Sequence, residues 1–419
     1  MIEFKKETKL DKLFLLMIAF SVPIPQLRLS LSSFEVPIYL VLIVTYFLFN
    51  IKNIKQSKIP LNVLIIIFYF TLSMLLTSLI NINNFGINMN LIIKYIINFM
   101  FMLMIFVVNF SNNQLLIILK GSLFSFLVYM LLTIYLYIIV NNKDFIGVDF
   151  TNYTTIGRNS LSIILGVFLI ASMIILENNI IKTLMLIVFG VSSFLLQSRG
   201  LIISLFFVVL VYMILHMRKS RIKSFFKSFS LIIIVSLIGI FIMKKYINLD
   251  IIFDRIKTIN IFNPTNDDIS SNLSRKLLFK KGIEIISNNF IFGVGLGNFG
   301  NYTSTSVSTL HIAHNDYIGI FSEMGIFGAI LIVVLFFSIF PKIIKNITSK
   351  GYSNKILLFL SMVNLYFIIY MFFIDLINTP FYWFFLTLFI IEDNRNHQKK
   401  SITNDLDFDS FRNVQIKNI

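Results

Sequence analysis

The chain has 419 residues, of which 57% are hydrophobic and 13% charged, with a mean hydropathy of +0.85 and a formal net charge of +16. An ordinary soluble domain carries about 25% charged residues, so a soluble fold is excluded. Nucleic acid is not the partner this charge implies, because much of it sits in short joints between apolar runs, where Lys and Arg set membrane topology and meet anionic headgroups.

Apolar runs close to the bilayer-spanning length of about 20 residues predict about twelve transmembrane helices. Only helices or closed barrels satisfy the backbone in lipid, and these runs are too long and unbroken for barrel strands. The fold class is therefore all-α and polytopic. The runs lie near 13–26, 35–51, 60–80, 90–109, 115–139 and 159–177, then 180–197, 201–216, 228–243, 315–340, 355–374 and 379–391. The first follows a basic segment, as a signal peptide would, but no small-residue cleavage site follows it, so it is a retained span. There is no cysteine, which excludes disulfides, thiolate metal sites and cysteine nucleophiles.

Charge asymmetry orients the spans. With the N-terminus inside, the cytoplasmic joints hold Lys5, Lys6, Lys9 and Lys12, then Lys52, Lys55 and Lys58. Further on they hold Arg218, Lys219, Arg221, Lys223 and Lys227, and finally Lys342, Lys345, Lys350 and Lys355. The short joints on the opposite side hold only Arg28, Lys143, Arg158 and Arg199. This arrangement predicts a transmembrane domain over 1–396 with a large extracytoplasmic loop over 244–314, and a mobile cytoplasmic tail over 397–419. Both termini are cytoplasmic.

Loops longer than about 15 residues are uncommon unless they carry function or are disordered, so chemistry is sought first in 244–314. Arg199, in the tripeptide SRG between two apolar runs, can anchor a tight turn to lipid phosphate or grip a ligand phosphate with its planar fork. Arg275 lies in an amphipathic helix expected over 271–287, capped by Ser271 or Asn272, with Lys280 and Glu284 placed to pair. That helix can lie on anionic lipid, or turn Arg275 inward to share an anion with Arg199. In FGVGLGNFG, Gly295, Gly297 and Gly300 match GxGxxG, but a dinucleotide fingerprint needs a preceding strand, a following helix and a cytoplasmic cofactor. Gly293, Gly295 and Gly297 are better read as a tight turn beside a ligand.

His314 and Asn315 stand at the threshold of the tenth span, where a histidine is either structural or suited to proton abstraction near neutral pH. Glu323 lies further along the same run, and an acid inside a span is functional or paired with a lysine. Lys94 and Lys120 are near span ends and can snorkel, Lys94 on the outer side. Asp250, Asp254, Asp267 and Asp268 lack the spacing of cation ligands, so no metal is expected.

In order and spacing, SRG, the SR of the amphipathic helix, FGVGLGNF and HNDYIGIFSEMGIFG resemble the O-antigen ligase/polymerase family of bacterial membrane glycosyltransferases, over about Phe189 to Phe340. The resemblance implies transfer of a polyprenyl-diphosphate-linked glycan to an acceptor hydroxyl at the outer face of the cell membrane, with no metal, nucleotide sugar or other cofactor. It maps the family's two arginines and histidine onto Arg199, Arg275 and His314. Ligases of this type glycosylate lipid A core, and polymerases the next lipid-linked repeat of a capsule, exopolysaccharide or O-antigen. A flippase and a chain-length regulator are the expected partners. Scarce Ala beside abundant Ile, Asn, Lys and Phe matches an AT-rich genome and tilts the reading to polymerase. The rivals are a lipid-linked oligosaccharide flippase, against which the lack of internal repeats and of midplane polar sites argues, and a non-catalytic export scaffold.

Overall fold

A computed structural model describes residues 8–24, 28–31, 34–50, 59–140, 158–196, 198–216, 266–303, 313–348 and 354–416. Among them the chain is almost entirely helical. The helices are α1 (Lys9–Ser21), α2 (Ile38–Asn50), α3 (Leu61–Ile80), α4 (Ile82–Phe85), α5 (Met89–Val108), α6 (Asn112–Val140) and α7 (Arg158–Ile174). They continue as α8 (Asn179–Leu196), α9 (Arg199–His216), α10 (Asn266–Asn288), α11 (Phe299–Thr303), α12 (Asp316–Thr348), α13 (Lys355–Tyr370) and α14 (Pro380–Ile416). A helix coincides with every expected run except 228–243, which lies outside the described residues. Among the described residues, four helices are long and apolar enough to cross a membrane: α3, α5, α6 and α12. The joint near Arg28 adds something not expected, an antiparallel hairpin of β1 (Arg28–Leu31) with β2 (Phe34–Pro37), in which Leu31 pairs with Phe34.

Small polar residues let the helices approach closely, as in other membrane bundles. Where α6 crosses α1, Ser122 and Ser125 donate to the carbonyls of Ala19 (2.8 Å) and Phe20 (2.9 Å). At the far end of the bundle, α14 is tied down by buried carboxylates. Glu392 is 0% exposed, bound by Arg395 (2.5 Å) and Asn354 (3.0 Å), while Asp393 accepts from Asn346 at 2.8 Å. Arg395 also donates to the Asn109 carbonyl at 2.9 Å, which joins α14 to the turn between α5 and α6. The tail expected to be mobile from 397 instead continues α14 to Ile416. Proline at the first position favours the helix start, and neither Gly nor Pro follows it to break the helix.

The expected span at 315–340 is interrupted. Gly325 has φ 59° and ψ −144°, so α12 consists of two arms, 316–324 and 326–348. A straight helix would hold residues eight apart about 12 Å from each other along its axis, yet a Cβ on Gly328 would stand 2.5 Å from the Ile320 carbonyl oxygen. The arms therefore fold sharply back on each other. The backbone groups released at the break find partners in the segment following α10. Ile326 N–H donates to Phe290 O (2.9 Å) and Ile291 O (3.2 Å), Val294 N–H to Ser322 O (3.0 Å), and Gly295 N–H to Glu323 O (2.9 Å). Tyr69 of α3 donates its hydroxyl to Phe327 O at 3.1 Å.

Such approach needs glycine on both sides. A Cβ on Gly293 would meet the Glu323 carbonyl at 2.4 Å, and one on Gly325 the Ile291 carbonyl oxygen at 2.4 Å, both at positive φ. Gly293→Ala and Gly325→Ala should each lose at least about 1–3 kcal/mol from backbone strain alone, read as a lowered unfolding midpoint in detergent. Gly190→Ala is the control, since it lies within α8 with nothing within 4 Å. It should hold or gain stability, because Ala is favoured over Gly inside a helix by about 1 kcal/mol.

Candidate functional site

Two helix starts dock on one stretch, residues 370–377. The first is that of α9. Ser198 is its cap, accepting Leu201 N–H on its hydroxyl (3.4 Å) and Ile202 N–H on its carbonyl (3.2 Å). Arg199 is thus the first residue of the helix rather than part of a separate turn. Its side chain lies outside the described residues. Gly200 sits flush against the 370–373 segment, where a Cβ would meet Phe373 Cβ at 2.9 Å and the Tyr370 ring at 3.3 Å.

The second is the start of α12. Asn315 caps it through Oδ1, which accepts Ile318 N–H at 3.2 Å. Asp316 N–H donates to Met371 O (3.0 Å), and its carboxylate accepts Leu376 N–H (2.8 Å) and Ile377 N–H (3.1 Å). Asp375 lies close enough for its charge to act on Asp316. Beside Asp316 a small cavity of about 40 Å³ opens between α12, α13 and α14, lined mainly by apolar side chains such as Ile320, Phe336, Ile368 and Met371.

His314 precedes this cap with φ +51°, a left-handed conformation uncommon outside glycine. It is half-buried, and its Nδ1 is enclosed with no hydrogen-bond partner among the described residues. Burial, and next the Arg275 charge, hold its pKa below the ordinary 6.5, against the opposing pull of Asp375. His311 lies outside the described residues.

Arg275 reaches this point from α10, which begins at Asn266, earlier than expected. Residues 275, 278, 282 and 285 follow the three-four spacing of one helix face. Leu278 and Ile285 are buried with Val294 and Phe299, and Gly282 is pressed onto Ile318. Arg275 therefore stands one turn beyond the packed seam, and its charge acts on both His314 and Tyr370. Leu277, Phe279 and Ile283 are exposed on α10. Glu284 pairs with Lys281 at 2.9 Å, not with the expected Lys280.

The remaining candidates separate from this group. Gly293, Gly295 and Gly297 have φ of 62°, 87° and 75°, so a tight turn is present, but protein fills the space they open. Gly293 faces the Glu323 backbone, Gly295 faces Asn298 and Asn81, and Gly297 faces Asn88. The turn packs between α12 and the α3–α5 joint. Glu323 accepts N–H groups from Phe299 (3.4 Å) and Gly297, so its partner is this turn rather than a lysine. Lys94 is exposed on α5.

Sequence reasoning missed Asp316, Asp375 and Tyr370. For Asp375 the signal was available, as a lone carboxylate between two apolar runs on the same side as His314 by the span count.

Residues 184–333 match the family described as O-antigen ligase. The matched segment covers 150 of the chain's 419 residues. It contains the start of α9, all of α10 and the first arm of α12, hence Arg199, Arg275 and His314 together. The match is a likeness to the O-antigen ligase family, and the spanning-length apolar helices agree with a membrane protein. No curated protein matches the chain.

Removing the charge of Arg275 should raise the His314 pKa, and removing that of Asp375 should lower it. Arg275→Gln and Asp375→Asn should therefore shift the midpoint in opposite directions in histidine-labelled protein followed by NMR, with His314→Asn assigning the signal. Movement in the same direction would contradict the geometry. By linkage the unfolded chain protonates first, so stability is full above about 6.5 and falls as pH drops toward the depressed folded value.

Proposed function

We propose that the protein is a polymerase of a surface polysaccharide. It transfers a polyprenyl-diphosphate-linked glycan to a hydroxyl of the next lipid-linked repeat at the outer face of the cytoplasmic membrane. The observation that carries this reading is the docking of two helix starts on residues 370–377, with the Arg275 charge felt at His314. As the bond between the sugar carbon and the phosphate oxygen breaks, negative charge grows on the departing diphosphate. Helix N-termini favour such an anion, and Arg199 and Arg275 supply the guanidinium groups that stabilise it. His314, neutral at working pH in the tautomer with a lone pair on Nδ1, takes the proton of the acceptor hydroxyl as its oxygen joins the sugar carbon. Asn315, Glu323 and the glycine turn hold the frame rather than touch the reacting atoms.

The orientation follows the positive-inside pattern, with 244–314 outside and both termini inside. A flippase supplies the donor, and a chain-length regulator acts on the product. Transfer to a different acceptor, as a ligase, is the second reading, favoured by the description of the matched family.

Arg199→Ala, Arg275→Ala and His314→Ala should each insert into the membrane and abolish polymer, leaving single lipid-linked repeats. The expected rate loss for one such donor is about 10²–10³-fold. Purified protein given one diphospholipid repeat should yield multimers. Normal polymer in all three variants would sink the mechanism, and product formed only with a different acceptor would establish the ligase.

A further inference from the structure

α10 carries two apolar faces, and only one of them packs on protein among the described residues. Leu278, Gly282 and Ile285 turn inward onto Val294, Phe299 and Ile318. A second stripe lies about 100° further round the helix. It consists of Phe279, Ile283 and Ile286, and is carried on by Phe290 just past the helix end. Steps of four, three and four residues make it one continuous seam. Phe279, Ile283 and Phe290 are nonetheless 53%, 48% and 51% exposed. A run of open apolar side chains on this scale marks an interaction surface.

The neighbours of the stripe identify its partner. Ile326 N–H donates to Phe290 O (2.9 Å) and Ile291 O (3.2 Å), and the Phe290 ring lies 5.7 Å from that of Phe321. The stripe thus runs into the second arm of α12, where Ile330, Val333 and Phe337 form an outward seam of their own. α12 is long and apolar enough to cross a membrane, so that seam has lipid chains for its solvent. Ile326 lies 16 residues before Lys342, about 24 Å of helix, within a hydrocarbon core about 30 Å thick. The Phe290 end of the stripe is therefore at hydrocarbon depth.

Charge agrees. Round the helix, Arg275 borders the stripe on one side and Lys276 and Lys280 on the other, all three exposed. Lys281 and Glu284 pair with each other at 2.9 Å on the far side. An apolar strip edged by cations suits acyl chains beneath phosphate headgroups. We infer that α10 is an interfacial helix, seated by this stripe in the leaflet opposite Lys342, with Lys276 and Lys280 at its phosphates. Lipid on one face and protein on the other together fix the rotation of α10, and with it the direction of Arg275.

The chain has no cysteine, so a single introduced thiol can carry a small environment-sensitive fluorophore. Phe279→Cys, Ile283→Cys and Glu284→Cys are labelled in the purified full chain and placed in nanodiscs of phosphatidylglycerol and phosphatidylethanolamine. Each is then compared with the same lipids brominated on the acyl chains. Labels at 279 and 283 should lose fluorescence to the bromines, most to those high on the chain, because such helices sink only about 5–10 Å. The label at 284 should lose little, and should yield instead to a water-soluble quencher. If Phe279→Cys or Ile283→Cys does not accumulate, Phe290→Cys takes its place. Labels at 279 and 283 quenched from water as fully as that at 284 would put α10 in solvent and overturn the inference. Labels there that escape both quenchers would mean that protein covers the stripe, from this chain or a second copy, and would overturn it as well.

Discussion

The break in α12 at Gly325 is the constraint on which the site depends. In an apolar surrounding every backbone N–H and C=O needs a partner, and irregular backbone survives only where other protein supplies one. Here the partner is the segment 290–295, whose amides and carbonyls meet those of Ser322, Glu323 and Ile326. That exchange pins the segment, and the segment carries Val294 and Phe299 into the cluster that holds Leu278 and Ile285 of α10. α10 is thereby fixed in rotation, and its free end carries Arg275 toward His314. A guanidinium is thus brought toward an imidazole 39 residues away by a chain of backbone contacts between segments distant in sequence.

The platform at 370–377 plays the complementary part. It receives the start of α9 through close packing at Gly200 and the start of α12 through three backbone hydrogen bonds to Asp316. The site is electrically balanced rather than simply cationic. Arg275 depresses the protonation of His314 while Asp375 favours it, and burial decides the outcome for the neutral ring. In the proposed reaction, a neutral imidazole beside fixed positive charge is suited to take the proton of the acceptor hydroxyl. His314 keeps a left-handed backbone there, a local cost that the two docked helix starts sustain.

Far from this end, Glu392, Asp393 and Arg395 fasten α14 to α12, α13 and the α5–α6 turn. Burying such charges contributes little net stability, but breaking one partner away would be costly, so the arrangement specifies one packing. Because α13 and α14 flank the platform, a fixed far end holds 370–377 in place. Sites supported on such rigid elements keep their geometry better than sites on loops.

Hydropathy alone placed the helices, because a run of apolar side chains in lipid has few other ways to satisfy its backbone. It also singled out Arg199, Arg275 and His314, since charged and titratable groups beside spans are rare enough to stand out. The interruption at Gly325, the filling of Gly293 and Gly297 by Glu323 and Asn88, and the service of Glu323 to the turn rather than to a lysine were decided only in three dimensions. So was the role of Asp316. Composition reports what a segment prefers as its solvent, whereas what a missing Cβ or a buried hydroxyl meets is set by chain that is distant in sequence. Gly200 and Tyr370 are 170 residues apart and touch, and no local pattern around either one encodes the other.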